Sequence, residues 1–324
     1  MAKQTLRELA ETHDLNVGAA VAGGKLRSDP HYRGLLKREF NAITTENALK
    51  MGPVHPEPAT YDFSDSDAIV SFGTAYDMTI RGHTLVWHNQ QPQWLSPWER
   101  TDEQLEDFLR AHIHTVAGRY RSSIDVWDVV NEAVLDDGSL RETVWYDAMG
   151  EEYLDKAFHW TKAVAPDATL CYNDYGAEAL NAKADGIYEL LKRLLDRGVP
   201  VDAVGLQMHA LHQQPDIDEV AQNVERLQAL GLDVHLTEVD VAFPSEHKPD
   251  DHLAAQAEYY RDLFELCLDM EMDTIVMWGV RDSDSWVRSW FPDVTGDPLL
   301  FDERNSAKPA YDSVVSVLSD EQSS

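Results

Sequence analysis

Short apolar runs alternate with longer segments of helical periodicity along the whole chain. This alternation is the strongest constraint on what it can fold into. The runs lie at 16–21, 40–45, 79–86, 124–130, 169–173, 203–208, 233–238 and 274–279. Between them the spacing predicts helices at 64–76, 101–118, 181–197, 216–230 and 250–270, and a last one opened by Lys308-Pro309-Ala310. Ser64 is the expected cap of the first. Thr101 and Gln104 form a capping box, and Gly198-Val199-Pro200 and Gly231 are stop signals. About eight strands, each followed by a helix, predict an α/β protein with a (β/α)8 TIM barrel. A doubly wound open sheet is the alternative, but no Gly-rich phosphate loop follows any strand. The 324 residues fit one barrel domain spanning 1–324, with 319–324 expected to fray. The N-terminal residues are expected to run straight into the first strand.

In a barrel, chemistry collects where the strands end. The run Trp127-Asp128-Val129-Val130-Asn131-Glu132 passes from apolar residues into an amide and a carboxylate, and Val234-His235-Leu236-Thr237-Glu238 also ends in a glutamate. Two glutamates at the tips of two buried strands are the parts a glycosidase needs. The other tips carry Glu46, Asn47 and Lys50, then His83, Trp87 and Gln90, then Tyr172-Asn173-Asp174-Tyr175, Gln207 and His209, and finally Trp278 and Trp286. Sugar rings have apolar faces that pack on aromatics, and hydroxyl edges that need amides, imidazoles and carboxylates. A single strand-end glutamate also reads as a solvated cap, and a lone Trp as core. The pair of glutamates amid these aromatics is what favours a sugar cleft.

The net charge is −31, from 58 acidic and 27 basic residues. That excludes the basic stripe of a nucleic-acid binder. The acids are dispersed, which points to a salt-adapted organism; an ordinary acidic enzyme is the alternative. No apolar run approaches a membrane span. The first residues lack the apolar core of a signal peptide, so the expectation is a cytoplasmic protein, or a secreted one whose leader has been removed. Cys171 and Cys267 are expected to be buried, inert thiols in apolar surroundings.

The chain resembles the endo-β-1,4-xylanases of glycoside hydrolase family 10. The likeness rests on Phe40-Asn41-Ala42-Ile43-Thr44-Thr45-Glu46-Asn47, Gly82-His83-Thr84-Leu85-Val86-Trp87-His88, Trp127-Asp128-Val129-Val130-Asn131-Glu132, Tyr172-Asn173-Asp174-Tyr175, Gly205-Leu206-Gln207-Met208-His209, Thr237-Glu238-Val239-Asp240 and Trp278-Gly279-Val280. Pro298-Leu299-Leu300-Phe301-Asp302 and Lys308-Pro309-Ala310-Tyr311 also fit, so the motifs span almost the whole chain in the family's order.

The resemblance implies that Glu132 is the acid/base and Glu238 the nucleophile. It places Glu46, Asn47, Lys50, His83, Trp87 and Gln90 on the non-reducing side of the cut. Asn131, Gln207, His209, Trp278 and Trp286 would surround the sugar under attack, with Tyr175 beside the scissile bond. Two positions depart from the family: Met51 stands where Trp is usual, and Gly176 where Asn is frequent. Both bear on how long chains are held.

The reaction so implied is retaining, endo-acting hydrolysis of β-1,4-xylosidic bonds in xylan or xylo-oligosaccharides, by a monomer without cofactor or metal. The two carboxyl groups are expected about 5–5.5 Å apart. His209 is a candidate partner that keeps Glu238 ionised, and Asp240 a candidate to orient that imidazole. Another barrel β-glycosidase, such as a cellulase or mannanase, and a non-catalytic sugar-binding barrel are the alternatives. A metal-dependent hydrolase is disfavoured, since no His-x-His pair ends a strand.

Overall fold

The structure, a computed structural model, describes residues 4–95 and 100–320. Its strands are β1 (Asn16–Ala20), β2 (Ala42–Thr44), β3 (Thr79–Gly82), β4 (Val126–Asn131), β5 (Thr169–Asp174), β6 (Ala203–Leu206), β7 (His209–Ala210), β8 (Asp233–Val241) and β9 (Thr274–Met277). All pair in parallel. β1 pairs with both β2 and β9, and β8 with both β6 and β9, so the sheet closes on itself. β7 resumes β6 after a break at Met208, whose φ is 61°, and pairs with the far end of β8 through His209 and Asp240. Counting β6 and β7 as one interrupted strand leaves the eight strands of a TIM barrel.

Parallel strands covered on both faces are mostly apolar, and their buried polar residues need partners. β4 is accordingly buried at every position. The main apolar core fills the layer between strands and helices, while Val126, Cys171 and Ala203 form a small cluster of their own. Beside that cluster lie charges. Arg81 grips Asp128 through two nitrogens, at 3.0 and 2.5 Å, and its third meets His235 at 3.0 Å. Arg81 also donates to the Cys171 sulfur at 3.0 Å, so that thiol is buried but not in the purely apolar setting expected. Burial pushes the thiols of Cys171 and Cys267 up to about 12, which leaves both protonated.

Two glycines make room for site residues. A Cβ at Gly82 would lie 2.5 Å from the Trp127 ring. One at Gly205 would lie 2.2 Å from Asn173 Oδ1.

Local geometry departs from the sequence reading in several places. Leu6–Thr12 is a helix, closed by a reciprocal box between Thr5 and Glu8, so the chain does not enter β1 directly. Ser64 is the first residue of its helix and not the cap; Asp62 Oδ1 accepts its amide instead. Pro30–Glu39 and Glu152–Val164 are further helices that the sequence reading does not include. β2 and β3 are shorter than expected, and β8 runs on to Val241. Ser319 and Asp320 belong to the final helix, Pro309–Asp320, while 321–324 lie outside the described residues. No helix among the described residues is long and apolar enough to cross a membrane.

Candidate active site

A cleft of about 1290 Å³ opens at the C-terminal ends of the strands. Glu46, Asn47, Lys50, His83, Trp87, Gln90, Asn131, Glu132, Tyr175, Gln207, His209, Glu238, Trp278 and Trp286 all line it, while Tyr172, Asn173, Asp174 and Asp240 are buried behind its wall. Glu46, Gln90 and Glu132 all have positive φ, at 32°, 46° and 59°. Non-glycine residues are seldom held there, and such positions gather at functional sites. The Glu132 amide donates to the Asn173 carbonyl at 2.9 Å, so the backbone itself anchors this turn at the end of β4.

Glu238, at the heart of β8, is 4% exposed. Its Oε1 accepts from Asn173 Nδ2 at 2.8 Å, and its Oε2 lies 3.3 Å from His209 Nε2. His83 Nδ1 stands 3.9 Å away. Burial works against a charged carboxylate here. The charges of His83, His209 and Lys50 and the His209 hydrogen bond outweigh it and hold Glu238 below the usual carboxylate range.

Glu132 has a different set of partners. Trp87 Nε1 donates to its Oε2 at 2.8 Å; Asn131 Nδ2 and Gln207 Nε2 donate to its Oε1 at 3.1 and 3.2 Å. Asn173 Nδ2 also donates to Asn131 Oδ1 at 2.9 Å, so a continuous amide chain joins the two glutamates. Asn173 was legible only as part of a motif. Its reach across β6 to Glu238 on β8 is allowed by the missing Cβ at Gly205, and Thr237, whose hydroxyl donates to its Oδ1 at 2.6 Å, helps to hold it there.

Around this pair, Lys50 Nζ donates to Asn47 Oδ1, and Asn47 Nδ2 to Glu46 Oε1, both at 2.9 Å. Burial depresses the Lys50 ammonium and raises the Glu46 carboxyl. Lys50 also sits 4.7 Å from the Trp87 ring centre. Trp278 stands edge-on to His83 at 5.2 Å. Trp286 Nε1 donates to Asp240 Oδ2 at 2.6 Å and its ring meets His209 at 5.0 Å. The Tyr175 hydroxyl accepts from Arg141 at 3.3 Å, with Lys183 Nζ 3.3 Å over its ring centre. Among the described residues, no group of three or more His, Cys, Asp or Glu is placed to hold a metal ion.

His209 lies between two carboxylates, with Nδ1 3.1 Å from Asp240 and Nε2 3.3 Å from Glu238. Burial disfavours its charge, but the hydrogen bonds to Asp240 and Glu238 overcome that and raise it to about 10. A pKa above the unfolded value of about 6.5 means that the stabilisation is complete below that value. It is lost as pH rises through about 10. His209→Asn should therefore destabilise the fold most near pH 6, with the gap from the native chain closing by pH 10.5. Urea melts across that range check this; a gap that widens with pH would mean that His209 is neutral in the folded protein.

An ionised glutamate and a second, hydrogen-bonded one facing the same aromatic-walled cleft are equipped for acid, base and nucleophilic work on a sugar. Comparison with known proteins agrees with that chemistry. Residues 5–317 match the profile of glycosyl hydrolase family 10. An endo-1,4-beta-xylanase B from Thermotoga neapolitana is 42% identical over 310 residues, covering 94% of this chain and 89% of that protein. The crystal structure of native xylanase 10B from Thermotoga maritima superposes with a TM-score of 0.93 at 42% identity, over 98% of each chain. That of xylanase 10B from Thermotoga petrophila RKU-1, in complex with xylobiose, gives 0.93 at 41% identity over 99% of each. With the barrel, the cleft and the sequence match all in agreement, the chain belongs to glycosyl hydrolase family 10.

Proposed function

We propose that Glu238 is the nucleophile and Glu132 the acid/base in retaining hydrolysis of internal β-1,4-xylosidic bonds. Glu238 attacks the anomeric carbon while Glu132 gives its proton to the departing oxygen. The resulting glycosyl-enzyme is opened by water, which Glu132 deprotonates, and the sugar leaves with its β configuration. The observation that carries these roles is the contrast in surroundings. Glu238 is buried and held ionised beside His83, His209 and Lys50, as a nucleophile must be. Glu132 has an indole and two amide donors at the cleft wall.

In this reading Glu46, Asn47, Lys50, His83, Trp87 and Gln90 hold the non-reducing side. Asn131, Gln207, His209, Trp278 and Trp286 enclose the sugar under attack, and Tyr175 lies beside the leaving group. All of these come from one chain, so a monomer suffices. Reducing-sugar release from xylan, with little from carboxymethylcellulose, and a β-configured first product by proton NMR are the expected results. An α-configured first product would overturn the mechanism, and equal action on both polymers the substrate.

We also infer that the surface is adapted to salt, from the charge of −31. Repulsion among dispersed carboxylates disfavours the compact state. Its range shrinks from roughly 8 Å at 0.15 M salt to about 3 Å at 1 M. The thermal midpoint should rise between 0.1 and 3 M KCl, and sulfate should raise it further through stronger effective burial. A midpoint that is flat or falls with KCl would remove salt adaptation.

A further inference from the structure

We propose that Trp290 is a stacking platform for a xylose residue on the leaving-group side of the cleft, lengthening the chain that the enzyme grips. The proposal rests on the function given above and adds a binding residue to it. Trp290 lines the cleft and is 74% exposed. Only two other large apolar side chains among the described residues are exposed, and one of them, Leu180, lines the same cleft. The other, Tyr76, does not line the cleft and has Lys37 Nζ 5.4 Å from its ring centre.

The backbone beneath Trp290 is held firmly. The Trp290 amide donates to the Trp286 carbonyl at 3.1 Å, and that of Phe291 to Val287 at 2.9 Å. The Phe291 ring stands edge-on to Trp286 at 5.1 Å and to His212 at 5.7 Å. Trp286 is in turn fixed by its bond to Asp240 and its contact with His209. A row of rings therefore leads from His209, beside Glu238, out to Phe291 and His212, and Trp290 is borne on that row.

The partner of this row decides the side. His212 belongs to the segment that follows β7, on the bank opposite Lys50 and Trp87, which come from the ends of β2 and β3. A β-1,4-xylose backbone is uncharged, so the acidic surface offers it no Coulombic attraction. A flat indole offers the C–H face of a pyranose what it lacks elsewhere on that surface, a large apolar contact with no charge to desolvate.

The test compares xylohexaose with β-xylobiosyl fluoride, whose single-atom leaving group cannot reach Trp290. In Trp290→Ala the ratio of kcat/KM for xylohexaose to that for the fluoride should fall about threefold to tenfold. Trp290→Phe, which keeps a ring, should recover most of it. An unchanged ratio, or an equal fall on both substrates, would overturn the proposal while leaving the enzyme a xylanase. A native chain inactive on both substrates would overturn the underlying function, and this proposal with it.

Discussion

Glu238→Ala is expected to abolish turnover on every substrate, with a loss on the order of 10^4-fold or more in kcat. No other group can form the covalent bond in its place. Glu132→Ala should behave differently. On xylan it should lose about 10^2- to 10^4-fold, the usual worth of positioned acid–base catalysis. On an aryl xylobioside with an acidic leaving group, the first step needs no proton, so a rapid burst of phenol should precede slow release of sugar. Azide, which needs no base to attack, should then restore steady turnover and give a β-glycosyl azide. The structure bears on this contrast through the separate partners of the two groups. Trp87 and Gln207 bond Glu132 directly, and His209 stands beside Glu238. Azide rescue of Glu238→Ala with a β-azide product, the outcome assigned here to Glu132→Ala, would mean that the two roles are exchanged.

The second large effect concerns stability. Asp128→Leu should cost about 3–5 kcal/mol, because it strands the Arg81 guanidinium in the barrel interior. Their side chains are 4% and 1% exposed, with Asp128 bonded by two Arg81 nitrogens and by His83 Nδ1 at 2.9 Å. Replacing both partners, as Arg81→Met with Asp128→Leu, should recover most of that stability, since an apolar pair desolvates no charge. Activity should not return with it, because His83 loses the acceptor that holds its ring near Glu238. Urea midpoints and kcat/KM on the single and double variants separate the two effects. An Asp128→Leu variant within about 1 kcal/mol of the native chain would mean that the Arg81 charge is solvated or paired elsewhere.

The same cluster has a pH signature. Burial raises the Asp128 carboxyl, but Arg81 and His83 outweigh it and leave it below its ordinary value. A depressed carboxylate lends stability above its unfolded pKa and loses it as pH falls through the folded one. Acid unfolding of the native chain should therefore steepen below about pH 4, and the double variant should lack that contribution.

What the sequence determined alone was whatever repeats locally. Apolar runs such as Ile124 to Val130 declare a strand buried on both faces, and Ile187, Leu190, Leu191 and Leu194 a helix, because each pattern needs only its own neighbours. Glu132 and Glu238 were visible because a carboxylate at the end of an apolar run is costly to place without a purpose. The capping box at Thr5 and Glu8 is equally local, but the helix it opens spans only seven residues and stands next to the stronger apolar signal of β1.

Tertiary structure decided the rest, since it depends on contacts between distant residues. Arg81 and His235 are 154 positions apart, and Asn173 and Glu238 are 65 apart. No periodicity links such pairs, so the chain alone does not say that a buried arginine is paired or that one asparagine ties both glutamates together. The break at Met208, which carries Gln207 to Glu132 and His209 to Glu238, is likewise imposed by pairing with β8. The ionised state of Glu238 balances burial against His209 of β7 and the side chains of His83 and Lys50, which follow β3 and β2. That balance exists only once the barrel has closed, because electrostatics act through space and not along the chain.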